Sequence, residues 1–208
     1  MSAGAGELEI VERADRRVII RRRTRETEVR VALTLDGTGE ADVQTGVAFY
    51  DHLLGSLSHH ALFDLRIEAS GDLEVDDHHT VEDVALVLGA ALAAALGDRA
   101  GIVRFGDASV PMNEALASCA VDVGGRPYSV IELPFRGERA GNLTLQNVEH
   151  ALEAFARAGG VTLHLRGTGR NDHHLAEAAF KALARALRAA CARDALRTGP
   201  ASTKGSLG

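Results

Sequence analysis

The chain has 208 residues, enough for one large domain with a real core, and its 46% hydrophobic and 25% charged composition is ordinary for a globular protein. A net charge of −6, aromatic residues at 4% and no Trp exclude a general nucleic-acid binder built on phosphate neutralisation and base stacking. The longest apolar stretch, residues 84–96, falls short of the roughly 18–20 residues of a membrane span, and residues 1–6 have neither the basic nor the apolar region of a signal peptide. Two distant cysteines, Cys119 and Cys191, form no C-x-x-C pair and point to a reduced, cytoplasmic protein with core thiols.

In chain order, a basic run comes first: Arg16-Arg17-Val18-Ile19-Ile20-Arg21-Arg22-Arg23-Thr24-Arg25. It reads either as a strand with a solvated basic face or as a basic rim around an anionic substrate. Residues 16–24, 28–35 and 41–45 have the composition of three short strands, with Asp36-Gly37-Thr38-Gly39 as a turn. Residues 47–60 carry Phe49, Leu53, Leu54 and Leu57 at helical spacing. Residues 63–69 alternate as a strand closed by Gly71-Asp72, and residues 77–96 form a long amphipathic helix.

The order then recurs. Residues 104–110, 117–123 and 127–133 are strand-like, 143–158 helical, 161–166 a strand and 172–192 a helix. Val81, Ala85, Leu88 and Leu92 of the first long helix correspond to Ala176, Phe180, Leu183 and Leu187 of the second. The chain is therefore predicted to be one α+β domain made of two repeats, about 16–97 and 101–193, each βββαβα, with helices packed on one face of each sheet. The boundary falls near Gly97-Asp98-Arg99-Ala100-Gly101, and a flexible tail is expected over 198–208.

Six of the nine histidines obey the repeat. Asp51-His52 and Glu149-His150 stand near the first helix of each half, and His78-His79-Thr80-Val81-Glu82 and His173-His174-Leu175-Ala176-Glu177 open the last helices. Residues three and four apart share a helix face, so His79 and Glu82 can hold one ion together, as can His174 and Glu177; His78 and His173 point elsewhere and could reach a second. Imidazole and carboxylate suit a divalent metal such as manganese, iron or zinc, and the lack of thiolates argues against a structural zinc. Asp77 and Asp172 would be ordinary N-caps, and Thr80 to Asp83 match a capping box, which accounts for Asp83 without chemistry. One such motif could be plain helix surface; two in register favour a metal site.

At these residues the chain resembles the imidazoleglycerol-phosphate dehydratase family. The similarity runs through Phe49-Tyr50-Asp51-His52-Leu53-Leu54, His60-Ala61-Leu62-Phe63-Asp64-Leu65, His78-His79-Thr80-Val81-Glu82-Asp83, Arg104-Phe105-Gly106, Gly125-Arg126-Pro127-Tyr128, Asn171-Asp172-His173-His174-Leu175-Ala176-Glu177 and Ser202-Thr203-Lys204-Gly205. The resemblance implies a duplicated ribosomal-S5-domain-2-like fold. It also implies conversion of D-erythro-imidazole glycerol phosphate to imidazole acetol phosphate in histidine biosynthesis, with two Mn2+ per active site. The implied ligands are His52, His79, Glu82 and His173 for one ion, and His78, His150, His174 and Glu177 for the other. Implied too is a homo-oligomer of 24 subunits in cubic symmetry, with sites shared between chains. Asn113 in Pro111-Met112-Asn113-Glu114 stands where the family usually has Asp, the 167–170 loop is one residue short, and Ala61 replaces a common Gly. No room is expected for the phosphatase domain fused in some relatives.

The chemistry makes that division intelligible. The proton to be lost is not next to a carbonyl, so a base alone faces a very weak acid. A metal on each imidazole nitrogen would favour the imidazolate. That ring could expel the adjacent hydroxyl to give a diazafulvene-like intermediate, whose neighbouring C–H is acidified. An acid/base carboxylate is needed at the glycerol arm; the resemblance points to Glu26, with Glu114 next in line. It assigns His60, Arg104, Arg126, Ser202 and Lys204 to the substrate and its phosphate, where Arg offers bidentate recognition. His59 and His164 fall outside the repeat and are expected to be bystanders. A metallohydrolase would use similar ligands but release phosphate, and a metal-storage protein would need no anion site.

Overall fold

The computed structural model describes residues 6–205; the first five residues, read above for a signal peptide, and the last three of the tail lie outside them. The first half comprises β1 (Leu8–Ala14), β2 (Arg17–Arg23), β3 (Thr27–Thr34), β4 (Ala41–Gln44), α1 (Ala48–Ala61), β5 (Asp64–Gly71) and α2 (His78–Leu96). The second comprises β6 (Phe105–Met112), β7 (Ala115–Asp122), β8 (Tyr128–Glu132), β9 (Arg139–Ala140), β10 (Leu143–Thr144), α3 (Gln146–Gly159), β11 (Thr162–Thr168) and α4 (Asp172–Cys191). One sheet has the order β1-β2-β3-β5-β4 and the other β6-β7-β11-β8. Without β1 the two orders are the same, and in each the last pair is parallel while the others are antiparallel. The α+β duplication is present in the topology itself.

Two features were not anticipated. β1 is exposed along its whole length, so it lacks the one-sided burial that leaves a period-two signal. β9 and β10 are two residues each, too short for any period. Elsewhere the alternation is clean: Thr27, Val29, Val31 and Leu33 of β3, and Ala115, Ala117, Cys119 and Val121 of β7, turn inward. The expectation that no stretch reaches membrane-span length is corrected by α2, which at 19 residues passes on length and composition. It is the core helix, with Val81, Val84, Leu88 and Leu92 buried, and its apolarity serves contacts on several sides.

The basic run resolves largely into ion pairs. Arg16 donates to both Asp36 oxygens at 2.8 and 2.9 Å and to the Cys191 carbonyl, Arg21 pairs with Glu28, and Arg22 with Asp83. Asp83 also accepts from the Thr27 hydroxyl. The capping box is not formed, because α2 begins at His78 and Thr80 already lies within it. Asp77 holds the N-cap position, but its carboxylate accepts from Thr144 N and Oγ1 of the other repeat, both at 2.6 Å. Asn171, not Asp172, caps α4.

The helices pair across the repeats: α1 packs on α4, and α2 on α3. The second contact is a close backbone approach, since a Cβ on Gly89 of α2 would lie 2.4 Å from the Phe155 carbonyl and 2.9 Å from Gly159 N in α3. Gly55 of α1 has room, with only the Ala41 Cβ at 4.0 Å. Gly89→Ala should therefore lower stability by about 1–3 kcal/mol through overpacking. Gly55→Ala should raise it by about 0.4–1 kcal/mol through the unfolded chain's lost entropy. Urea unfolding of both variants checks the contrast.

Candidate metal centre and substrate corner

The cross-repeat pairing brings the upstream His of each half onto the last helix of the other. His52 of α1 meets His173 and Glu177 of α4, and His150 of α3 meets His78 and Glu82 of α2; within each group the ligand atoms lie within 4.8 Å of one another. His52 Nε2 is 3.1 Å and His173 Nε2 2.9 Å from Glu177 Oε1. His150 Nε2 is 3.3 Å from Glu82 Oε1, and His78 Nε2 3.8 Å from Oε2. Two imidazole nitrogens and a carboxylate in each group fit a borderline divalent ion and leave positions open on the outer side. The implied division placed Glu82 with His52 and Glu177 with His150; the structure places the two carboxylates the other way round, because the helices pair across repeats. It also sets His78 and His173, four positions before the Glu, on the carboxylate's face, rather than His79 and His174.

His79 and His174 turn away from both groups. His79 Nδ1 lies 3.0 Å from Asp72 Oδ2 and 3.8 Å from Glu26 Oε2, which puts Glu26, in the β2–β3 turn, beside a histidine of the motif. The Asp72 hydrogen bond raises the His79 pKa. His174 Nδ1 lies 2.9 Å from Glu114 Oε2, in the β6–β7 turn. That bond, with backbone donors, lowers Glu114 to about 2. Glu26 and Glu114 thus stand at equivalent hairpins of the two repeats.

Burial alone would raise the Glu177 carboxyl, but hydrogen bonds from Lys181, His52 and His173 and the Lys181 charge outweigh it and hold the group at about 2. His60 is lowered by desolvation and by the charges of His59, Lys181 and Arg185, opposed by Glu177, so it stands within electrostatic reach of this group.

Several supporting residues were not foreseen. Phe49 packs against the His173 ring with centroids 4.6 Å apart, and Asn147 Oδ1 accepts from His78 Nδ1 at 3.1 Å. Each stands three positions before the upstream His of its repeat, a same-face spacing that could have signalled both. Lys181, four positions after Glu177, is a helix ion-pair spacing that was also legible. Asp51 and Glu149 accept instead from Thr45 and from Leu133 N, just past β4 and β8. Burial pushes both cysteine thiols up to about 12, in keeping with core residues.

The cations expected to hold the substrate phosphate gather elsewhere. Arg104 donates to both Asp122 oxygens at 2.7 Å and to the Ala201 carbonyl at 2.6 Å, with 8% of its side chain exposed. Arg126 lies 3.8 Å from the same carboxylate, and Lys204 N donates to Ser202 Oγ. The structure thus joins Arg104, Arg126 and the Ser202–Lys204 tail into one corner. The tail, expected to be flexible from 198, is pinned by an Ala100–Pro200 bridge, by Gly101 N to Gly199 O, and by Arg104.

This corner is remote from the His52–His173–Glu177 group of the same chain. Arg104 N bonds Ala190 O, near the end of the helix that His173 begins. At a rise of roughly 1.5 Å per residue, that places the two about 25 Å apart.

Fold and site define a duplicated α+β protein with two candidate His/Glu metal groups. The family profile described as imidazoleglycerol-phosphate dehydratase matches residues 45–187. The dehydratase of Methanoculleus marisnigri is 52% identical over 188 residues, covering 90% of this chain and 97% of that protein. That of Mycolicibacterium smegmatis is 51% identical, covering 93% and 98%. The crystal structure of the Pyrococcus furiosus dehydratase superposes with a TM-score of 0.78 at 32% identity, covering 90% of this chain and 99% of that one. The chain belongs to the imidazoleglycerol-phosphate dehydratase family, and so to the dehydration of imidazoleglycerol phosphate in histidine biosynthesis.

Asp122 supplies a test of the corner. Burial would raise its carboxyl, but Arg104's hydrogen bonds and charge hold it below the ordinary value. Its stabilising contribution is therefore present above the unfolded carboxylate pKa of about 3.9 and is lost as pH falls toward the lower folded value. Asp122→Asn should loosen the tail at neutral pH, with faster proteolysis after residue 197, whereas the wild type should show that loosening only in acid.

Proposed function

We propose that the chain dehydrates D-erythro-imidazole glycerol phosphate with two divalent ions, manganese in the first instance, in sites completed by neighbouring copies of itself. The observation that carries the metal assignment is the pair of repeat-equivalent groups, His52–His173–Glu177 and His78–His150–Glu82, each with two imidazoles facing one carboxylate. His79 of a neighbouring copy would complete the first group and His174 of another the second, since neither reaches a group of its own chain. When bound, the two ions would supply positive charge at the two ring nitrogens of the substrate.

The residues of the chain do the rest. Arg126, Lys204 and Ser202 hold the phosphate, with Arg104 anchoring the tail that carries the last two. Glu26, within reach of His79, moves a proton at the glycerol arm, and His60 borders the substrate beside the Glu177 group. A substrate consisting of a ring, three carbons and a phosphate is far too short to bridge roughly 25 Å between Arg104 and His173 on one chain. The phosphate corner of one copy would therefore face the His52–His173–Glu177 group of another, in the 24-subunit cubic assembly that the family resemblance implies. A cytoplasmic setting suits the two buried, unpaired thiols.

Two measurements test this reading. Glu26→Gln should keep both metals and substrate affinity while turnover falls about 10²–10⁴-fold, as is typical when general acid–base help is lost; an unchanged rate would remove Glu26 from the mechanism. His150→Ala and Arg126→Ala chains, each inactive alone, should regain activity when co-assembled, because some sites then combine an intact metal group with an intact phosphate corner. Mixed assemblies that stay inactive would place the whole site on one chain.

A further inference from the structure

Both carboxylate oxygens of Glu114 are engaged by other residues, and their arrangement bears on the state of His174. Its Oε1 accepts the backbone N–H groups of Arg170 and Asn171 at 3.2 and 2.8 Å. Its Oε2 faces His174 Nδ1 at 2.9 Å. A carboxylate only accepts, so Nδ1 carries the proton, and in the neutral ring Nε2 then holds the lone pair. The other side of the ring agrees: the Asn113 amide nitrogen, a donor, lies 3.5 Å from Nε2.

We infer that Glu114 is the positioning residue that holds His174 in the Nδ1–H form and so makes Nε2 the metal-binding atom offered to a neighbouring copy. The inference rests on the proposal above that His174 is such a ligand. Partners of this kind fix ring orientation and tautomer in metal-binding histidines. Asp72 stands in the same relation to His79, but with a difference: its second oxygen, Oδ1, has no hydrogen-bond partner among the described residues.

That difference yields a sharp test. In Glu114→Gln the two backbone donors keep the amide oxygen on their side, so the amide NH2 faces His174 Nδ1. The ring must then accept at Nδ1 and carry its proton on Nε2, which blocks the metal. In Glu114→Ala nothing opposes the correct tautomer. In Asp72→Asn the amide can turn its oxygen toward His79, since no donor holds it the other way.

The experiment is Mn2+ affinity of the assembled protein, by competition with a chelating dye, for the wild type, Glu114→Gln, Glu114→Ala, Asp72→Asn and His174→Ala, with melting of the metal-free proteins alongside. His174→Ala and Glu114→Gln should each weaken one of the two ions per chain about 10–100-fold and leave the other. Glu114→Ala and Asp72→Asn should weaken binding less than Glu114→Gln, although Glu114→Ala melts lowest. A purely structural role for Glu114 predicts the reverse order, with Ala worse than Gln, and that result overturns the inference. Loss of an ion in His174→Ala together with wild-type affinity in Glu114→Gln overturns it as well. Retention of both ions in His174→Ala would instead overturn the assignment of His174 as a ligand.

Discussion

The packing of α1 on α4 and of α2 on α3 is the constraint on which the site depends. Neither repeat holds a complete metal group by itself, because the upstream His and the His-plus-Glu helix that meet in space belong to different halves. The approach that brings His150 to Glu82 runs through backbone contact at Gly89 and Gly159, where no side chain could stand between the helices. Asp77 reinforces the same junction by reaching from the start of α2 to Thr144, just ahead of α3. Helix packing and metal-group geometry are therefore one design problem.

Within that frame, hydrogen bonds settle which nitrogen each ring presents. His52, His78, His150 and His173 face their carboxylates with Nε2, and Asn147 occupies Nδ1 of His78. His79 and His174 instead have a carboxylate on Nδ1. Under the proposed sharing of sites, such a chain would both receive and donate metal ligands. Each ion would then act as a strap between copies as well as a reagent, so that assembly and catalysis share their energetics.

The sequence made much of this legible, for identifiable reasons. Strands buried on one face and helices with one apolar stripe leave a period, so β3, β7, α2 and α4 emerge close to their observed bounds. β1, exposed on both faces, leaves none. The His pairs and Glu82 and Glu177 were found from spacing and duplication. Their partnership was not, because spacing along a helix cannot say which other helix lies opposite. The same limit hid Asp72 and Asp122, whose roles depend on contacts from separate elements. Arg104 looked like a phosphate ligand by motif; its carboxylate partner and its hold on Ala201 show it also fastening the tail.

The crossed pairing bears on how such a chain could arise. A half-length precursor with one sheet, one upstream His and one His-His-x-x-Glu helix would have had an uncovered helix face and half of a metal group. Two such precursors related by a twofold axis would have covered both faces at once and formed two identical groups across their interface. Fusion of the gene copies then turns that interface into a core. It also frees the two groups to diverge, and they have: Lys181 supports Glu177, while an arginine of α3, Arg157, stands beside Glu82.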